Sequence, residues 1–388
     1  MALTLGTAPL NKIYLGSTAL NKIYLGATVV FSGGSFDPTS LFAGGQQGLL
    51  LEAFDISTLF QLSDGATAVT VATDPIGYAG DKSGRGNNAI QATAAARPIY
   101  QTGPARMALD KVDDRLSVTV PGGGFTGTMV LATDQGTASY GVTIPAGAYD
   151  IGGRSGLYFP GNALVGQLIR NGALSEGQAA ATEAYFVGEG ATASYGAVTN
   201  FTNFWRNWSE ITSFPLIDTS SVANFGYAWS GCSSLTGFPL IDTSSGTNFY
   251  QAWYACTSLT SFPLIDTSSG TNFGYAWYNC NSLTSFPLID TSSGTSFAVA
   301  WQGCSSLTSF PANAFDNISG GDFTDAFTST ALTETSIDNV VVSLVASGIA
   351  AGTRVFDQSG GSAPSSTGEA AITTLRSRGW TVTVTGGY

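Results

Sequence analysis

The chain has 388 residues, 43% of them apolar, which allows two or three domains with sizeable cores. Charged residues are only 10%, against ~25% in an ordinary soluble domain, and Gly, Ser, Thr and Ala take their place. The net charge is −12, His is absent, and no Lys or Arg occurs from 207 to 353; a polyanion would be repelled there, and the commonest general base and zinc ligand is missing.

The opening MALTLGTAPLNKIYLG lacks the basic-then-apolar order of a secretory leader. No run reaches the ~18 apolar residues of a membrane span. Export by the usual route and membrane insertion are therefore not expected. Residues 1–31 repeat with a period of ten: LGTAPLNKIY, LGSTALNKIY, LGATVVFSGG. Ile13, Tyr14 and Leu15, and again Ile23, Tyr24 and Leu25, read as short strands, with Asn-Lys and Gly-Ser or Gly-Thr turns. So small a unit has too little core to stand alone. Its strands need copies of themselves or a protein to dock onto, or they lie as a simple meander on the next domain. The tandem LNKIYLG resembles the N-terminal attachment segments of bacteriophage tail-fibre and tail-tip proteins. That resemblance implies attachment to other virion tail proteins through residues 1–34 and a homo-oligomer, with a trimer expected.

Ser32 to Ser35 has the composition of a linker. Residues 35–195 read as one β-rich domain. Alternating stretches at Ala68–Ala72, Leu116–Val120, Thr128–Ala132, Ser139–Ile144 and Leu164–Ile169 predict strands of a β-sandwich-like unit. Ser175 with Gln178 forms a capping box for a helix through Phe186. Three segments, DKSGRGNNA at 81–89, RPIY at 97–100 and LDKVDDRL at 109–116, resemble the laminin-G/concanavalin-like jelly rolls of phage and bacterial surface proteins. Lys111 stands where that pattern has Gly and Arg115 where it has an aromatic, and the strands that follow are few, so the region reads as a truncated form serving as a spacer. Asp110, Asp113 and Asp114, with Asp81, are open to three readings: turn residues bonded to backbone N–H, a Ca²⁺ site, or a glycosidase carboxylate pair. Gly122 to Gly124 lacks the following Lys-Ser/Thr of a phosphate loop.

From Ile211 to Phe310 a 24-residue block recurs almost verbatim. Phe214, Phe238, Phe262, Phe286 and Phe310 share one column; Trp205 to Trp301 and Cys232 to Cys304 share others. A period of about 20–29 residues with recurring apolar columns predicts a leucine-rich-repeat solenoid over 196–331, because each unit cannot bury its apolar face alone. The first copy, with Trp208 in the Cys column, reads as a cap. Leu-Thr-Ser-Phe-Pro-Leu reads as a short strand. The i, i+3, i+4, i+7 spacing of Phe225, Ala228, Trp229 and Cys232 reads as one face of a two-turn helix. The Cys column is expected to be buried and free. The column of Asp218, Asp242, Asp266 and Asp290 is expected to cap the turn that follows it, a cation ladder being the alternative.

The block resembles the leucine-rich repeats of bacterial surface antigens, whose units end in N-M-x-x-M-F-x-x-C, with Phe and Trp here in the Met and Phe places. The segments 336–345 and 370–382 resemble the closing cap of phage-encoded repeats of this type, giving a C-terminal cap over 332–388. In a near-identical array the changing columns stand out. Tyr227, Tyr250, Tyr254, Tyr275, Tyr278 and Asn279 occupy such outward positions. Tyr and Asn suit an adaptable recognition surface; drift of exposed positions is the alternative.

The expected fold class is therefore mainly β and multidomain: an N-terminal β segment, a β-sandwich-like middle, and a solenoid with short helices and a cap. The expected function is a structural tail fibre or tail tip, part of the virion, binding a host surface glycan or protein. No enzyme activity, cofactor, metal, nucleic acid or membrane partner is expected. A bacterial surface adhesin is the runner-up, and an envelope-degrading enzyme is third.

Overall fold

A computed structural model of the chain describes four short strands within 13–32, residues 37–102 except 45, then 105–108, 116–120, 125–133, 137–144, 147–151, 163–171, 174, 176–188, 198–349 and 354–387. The described chain is mainly β. Two antiparallel hairpins come first. They are β1 (Ile13–Leu15) with β2 (Thr18–Leu20), and β3 (Lys22–Leu25) with β4 (Thr28–Ser32). Both expected Ile-Tyr-Leu strands are thus present. Ser32 ends β4, and the rest of the expected linker lies outside the described residues.

The middle of the chain supplies β5 (Gly48–Glu52), β6 (Leu59–Phe60), β7 (Tyr78–Ala79), β8 (Ala89–Ile90), β9 (Ile99–Gln101), β10 (Arg106–Ala108), β11 (Leu116–Val120), β12 (Phe125–Thr133), β13 (Thr137–Ile144), β14 (Gly147–Ile151) and β15 (Ala163–Asn171). They form two antiparallel sheets. One runs β13-β12-β15 and then divides, β15 pairing with both β10 and β5; the other runs β14-β11-β8-β7-β6. Alternation sets the faces. Leu49, Leu51, Met129, Leu131, Tyr140 and Val142 of the first sheet share an apolar cluster with Leu59, Ala79, Leu116 and Val118 of the second. Leu50, Val130 and Ala132 point the other way, onto Phe42 and Phe186 of α1 (Glu176–Gly188). Four of the five expected strands are present. Ala68–Ala72 is not a strand: only Ala68 bridges to Phe60, and Asp74 draws the chain into a turn by accepting from the amides of Thr70 and Val71.

Asp81 behaves as a turn-former. Its carboxylate accepts from the amides of Leu50, Ser83 and Asn87 and from the Ser83 hydroxyl, tying the 81–87 loop to β5. Asp110, Asp113, Asp114, Lys111, Arg115, Gly122 to Gly124 and the Ser175 cap lie outside the described residues.

The first sheet does not end at residue 195. Beyond β13 lies β16 (Ile211–Ser213), so the first repeat unit adds an antiparallel strand to the sheet. Trp208 packs on the Tyr140 ring at 4.8 Å, and the Trp205 indole N–H donates to the Tyr140 hydroxyl at 3.1 Å. One apolar cluster therefore runs from the sheets into the repeats.

In the repeats each 24-residue unit lies on the next. The amides of Phe225, Tyr227, Trp229 and Gly231 donate to the carbonyls of Asn248, Tyr250, Ala252 and Tyr254, and the pattern recurs in every following unit. The intervening amides close turns within the unit, as Ala228 does to Phe225 and Cys232 to Trp229. Inside, flat rings form files. Trp205, Trp229, Trp253, Trp277 and Trp301 stack at 5.4–5.7 Å within 11° of parallel, and Phe225, Phe249, Phe273 and Phe297 at 5.3 Å.

The expected two-turn helix is absent. Phe225, Ala228, Trp229 and Cys232 do face inward and are fully buried, but the backbone turns left-handed at Tyr227 (φ 59°) and Gly231 (φ 79°). The same two columns are left-handed in every unit: Gln251 and Ala255, Tyr275 and Asn279, Val299 and Gly303. A helix cannot pass through such residues, and the amides it would use are bonded to the next unit instead. The Leu-Thr-Ser-Phe-Pro-Leu strands reduce to single bridges, Ser213 to Gly237 and Ser285 to Ser309.

Polar columns complete the stack. The amides of Ser220, Ser244, Ser268 and Ser292 donate to the carboxylates of Asp218, Asp242, Asp266 and Asp290 at 2.9–3.1 Å, so the Asp column caps turns as expected. The buried hydroxyls of Thr219, Thr243 and Thr267 donate to the Asp242, Asp266 and Asp290 carbonyls of the following unit. All four Cys are free and buried, each thiol donating to a Trp carbonyl of the unit before at 3.0–3.2 Å.

The far end closes on β17 (Phe323–Thr330), whose segment accepts the last inter-unit bonds through Asp322, Thr324, Ala326 and Thr328. It leads through α2 (Glu334–Ala346), β18 (Arg354–Gly360) and α3 (Ser366–Ser377) to β19 (Trp380–Thr383), a parallel β17-β18-β19 sheet. The α2 hydroxyls of Ser336 and Ser343 accept from the amides of Phe310 and Phe315; the Phe286 amide, one unit before Phe310, bonds instead to Ser309 of the next repeat.

Two outcomes follow from this packing. A non-Gly residue in the left-handed region is strained by about 1–2 kcal/mol, and Gly holds the Ala255 column at 231 and 303. Ala255→Gly therefore raises stability in urea unfolding by about 0.5–1 kcal/mol, after the extra entropy of the unfolded glycine is subtracted. Burial pushes the Cys256 and Cys304 thiols up to about 12 from an ordinary 9.0. Unfolded thiols ionise first as pH rises, so this contribution is full below pH 9 and is lost on approach to 12. Urea midpoints measured across that range fall, and fall less steeply in Cys256→Ala; alkylation of the native protein is slow until denaturant is added.

Candidate recognition surface

The varying columns converge on one patch. Tyr227 and Tyr275 stand in a left-handed column, Tyr250 in the column before it, and Tyr254 and Tyr278 three residues beyond. Because units lie directly over one another, the five rings touch in sequence. Tyr227 meets Tyr250 edge-on at 5.4 Å, Tyr250 meets Tyr275 at 5.8 Å, and Tyr275 meets Tyr278 at 6.0 Å. Tyr278 then lies flat on Tyr254 at 4.7 Å and 13°. Gly274 leaves the room that Tyr250 fills, since a Cβ there would come within 3.2 Å of its ring. Asn279 occupies the second left-handed column of the same unit.

The five tyrosines are therefore brought into contact in adjoining units, while Asn279 shares a unit with Tyr275 and Tyr278 and has its side chain beside Gly303. They are half-buried and not fully solvent-facing, because each ring leans on its neighbour. The Gln251 side-chain amide donates to the Tyr250 hydroxyl at 3.2 Å. One cation ends the ridge: the Arg206 guanidinium lies 4.9 Å over the Tyr227 ring. Desolvation raises the Tyr227 phenol above its ordinary value, helped by Tyr250 and opposed by Arg206. Desolvation and then Tyr278 and Tyr275 raise that of Tyr254. The patch is an aromatic ridge with hydroxyls for hydrogen bonding and a guanidinium at its N-terminal end.

Arg206 was missed in the sequence, yet it is one 24-residue step before Ser230 and so belongs to the column of Tyr254 and Tyr278. Carrying the register one unit back would have found it. The left-handed backbone had a partial signal: its second column reads Asn207, Gly231, Ala255, Asn279 and Gly303, mostly residue types that favour it, whereas the bulky Tyr227 and Tyr275 and the β-branched Val299 of the first column argue against it.

The middle of the chain offers less. Glu52, 2% exposed, is held by Lys82 and by the Tyr185 hydroxyl at 2.8 Å, and Lys82 also meets Asp55 at 2.9 Å. These groups are consumed in tying β5 to the 81–87 loop and α1. Among the described residues no group of three or more His, Cys, Asp or Glu is placed to hold a metal ion, and no helix is long and apolar enough to cross a membrane. Side chains of Ile13, Tyr14, Leu15, Ile23, Tyr24 and Leu25 are outside the described residues; their backbones form β1 and β3. Comparison with models of protein families, with curated proteins and with solved structures finds no match.

A parallel aromatic pair contributes about 0.5–1.5 kcal/mol beyond the area it buries. A double-mutant cycle on Tyr254→Ala and Tyr278→Ala, read by urea unfolding, gives a coupling of about that size. The Tyr254/Tyr227 pair, whose rings are not in contact, gives one near zero.

Proposed function

We propose that the chain is a structural protein of a bacteriophage tail, a fibre or tip, that recognises the host surface through the tyrosine ridge and is not an enzyme. In this reading residues 1–34 attach it to other tail proteins and make it a homotrimer, the sandwich-like middle spaces it, and residues 196–331 are a leucine-rich-repeat solenoid closed by the cap. The virion is its place of action. The LNKIYLG tandem supports the attachment role, and its hairpins are short elements that need further partners to be stable.

The observation that carries recognition is where the array departs from itself. Tyr227, Gln251 and Tyr275, all half-buried, hold a left-handed column at which Gly would be free of strain. Side chains kept there at the expense of stability point to a use outside the fold. That column furnishes two of the contiguous rings, Tyr227 and Tyr275, and neighbouring columns furnish Tyr250, Tyr254 and Tyr278. Aromatic faces hold sugar rings or partner side chains by apolar contact, with the hydroxyl as a polar handle. Binding of the labelled full chain to cells of the bacterium that the phage infects tests the reading. Tyr254→Ala with Tyr278→Ala weakens attachment about tenfold or more, as removing a central aromatic pair does at other interfaces. Attachment at the parental level with the variant still folded removes the ridge from recognition.

A further inference from the structure

A second surface runs along the stack away from the tyrosines. Leu216, Leu240, Leu264 and Leu288 are 74%, 62%, 61% and 50% exposed, one per unit in a single column. Two residues on, Asp218, Asp242, Asp266 and Asp290 are exposed as well, with a buried or half-buried Ile between each Leu and Asp. Leu240, Leu264 and Leu288 each stand in the middle of a tight turn, the Ile241, Ile265 and Ile289 amides donating to the Pro239, Pro263 and Pro287 carbonyls; with the units stacked, a file of exposed leucines accompanies a file of exposed carboxylates. Single exposed leucines are ordinary, but a regular file is not. The Ser hydroxyls and amides that cap Asp242 and Asp266 hold their carboxyls below the ordinary range, so both are charged at neutral pH. No Lys or Arg between 207 and 353 can neutralise them. The file ends in an open groove of about 570 Å³ lined by Leu288, Asp290, Asn313 and Asp316.

We propose that this edge docks an amphipathic, cationic α-helix of a partner protein, laid along the stack with one apolar and one Lys or Arg side chain per turn. The charge pattern sets the sign of the partner and disfavours a second copy of this chain, whose own carboxylate file would be repelled. The spacing selects the helix. The Phe214-to-Phe310 file, two residues before the leucines, steps by 5.4–6.0 Å per unit. An α-helix presents side chains of one face every ~5.4 Å, at the lower end of that range. An extended strand presents them every ~6.6 Å and drifts out of register over four units. Four leucines in file match a helix of about 11–14 residues, with the terminal groove, lined by Asp290 and Asp316, receiving a last Lys or Arg side chain. The proposal does not depend on the tyrosine ridge, which lies in other columns.

The probe is a labelled amidated peptide of Leu, Lys and Ala with Leu and Lys spaced once per helical turn, titrated with the full chain by fluorescence anisotropy. A peptide of identical composition with Leu and Lys at alternate positions is the control. The helical peptide binds, more weakly as salt is raised, and the control does not. L240S with L264S weakens binding about tenfold or more. D242N with D266N weakens it at low salt and flattens the salt dependence, which keeps the test intact if the Leu variant melts lower. Tyr254→Ala with Tyr278→Ala binds the peptide like the parent. Equal binding of the control peptide, or parental affinity in both the Leu and the Asp variants, overturns the proposal. So does concentration-dependent self-association in sedimentation that L240S with L264S abolishes, which would make the edge a contact between copies.

Discussion

Everything in the repeat region depends on one constraint: the chain must return to the same place every 24 residues so that ring lies on ring. A lone unit would leave Trp253, Phe249 and Phe262 in water. Between two others it buries all three, with Trp253 between Trp229 and Trp277. Each stacked pair adds about 0.5–1.5 kcal/mol to its area burial, and each unit also donates a row of amides to the next. That return is bought with left-handed residues at two positions per unit, strained by about 1–2 kcal/mol where they are not Gly. The free thiols, the buried Thr hydroxyls and the Asp-capped turns are bonded within the stack, whereas the indole N–H groups of Trp229, Trp253, Trp277 and Trp301 are buried without a partner among the described residues, a cost that the stacked rings offset.

A stack has two ends, and each must be closed because an open end presents unpaired backbone and a naked ring face. The two solutions differ. At the front, β16 joins the β13 edge of the larger sheet, with Tyr140 taking both the Trp205 N–H and the Trp208 ring. At the back, β17 accepts the last inter-unit bonds, and Phe323 and Phe327 continue the ring files. The α2 hydroxyls then satisfy the remaining amides. Since both closures are built from neighbouring segments, sheets, stack and cap share one apolar core.

The same repetition separates surface from core. Inward columns are nearly invariant because each ring must fit two neighbours; outward columns are free to change or to be reused. One set of outward columns changes and gathers tyrosines. Another, the Leu and Asp files, is repeated unchanged although nothing inside the unit requires an exposed Leu. Two faces with opposite habits, one varied and one regular, suit two different kinds of contact.

The period, the inward columns, the buried free Cys, the Asp caps and the tyrosine grouping were legible in the sequence, because a 24-residue register places every residue against its own copy. The strands of the middle region were legible where alternation was clean, as at Leu116–Val120 and Ser139–Ile144, and not at Ala68–Ala72, where Asp74 takes the amides a neighbouring strand would need. What the tertiary structure alone decided is the backbone between the inward residues. An i, i+3, i+4, i+7 pattern reads as a helix when each unit is considered by itself, since local bonds are then the only ones open to it. Once units stack, Tyr227 and Gly231 turn left-handed and the amides bond across the stack instead. Whether a backbone group bonds along the chain or across it depends on neighbours 24 residues away, and no local window contains them.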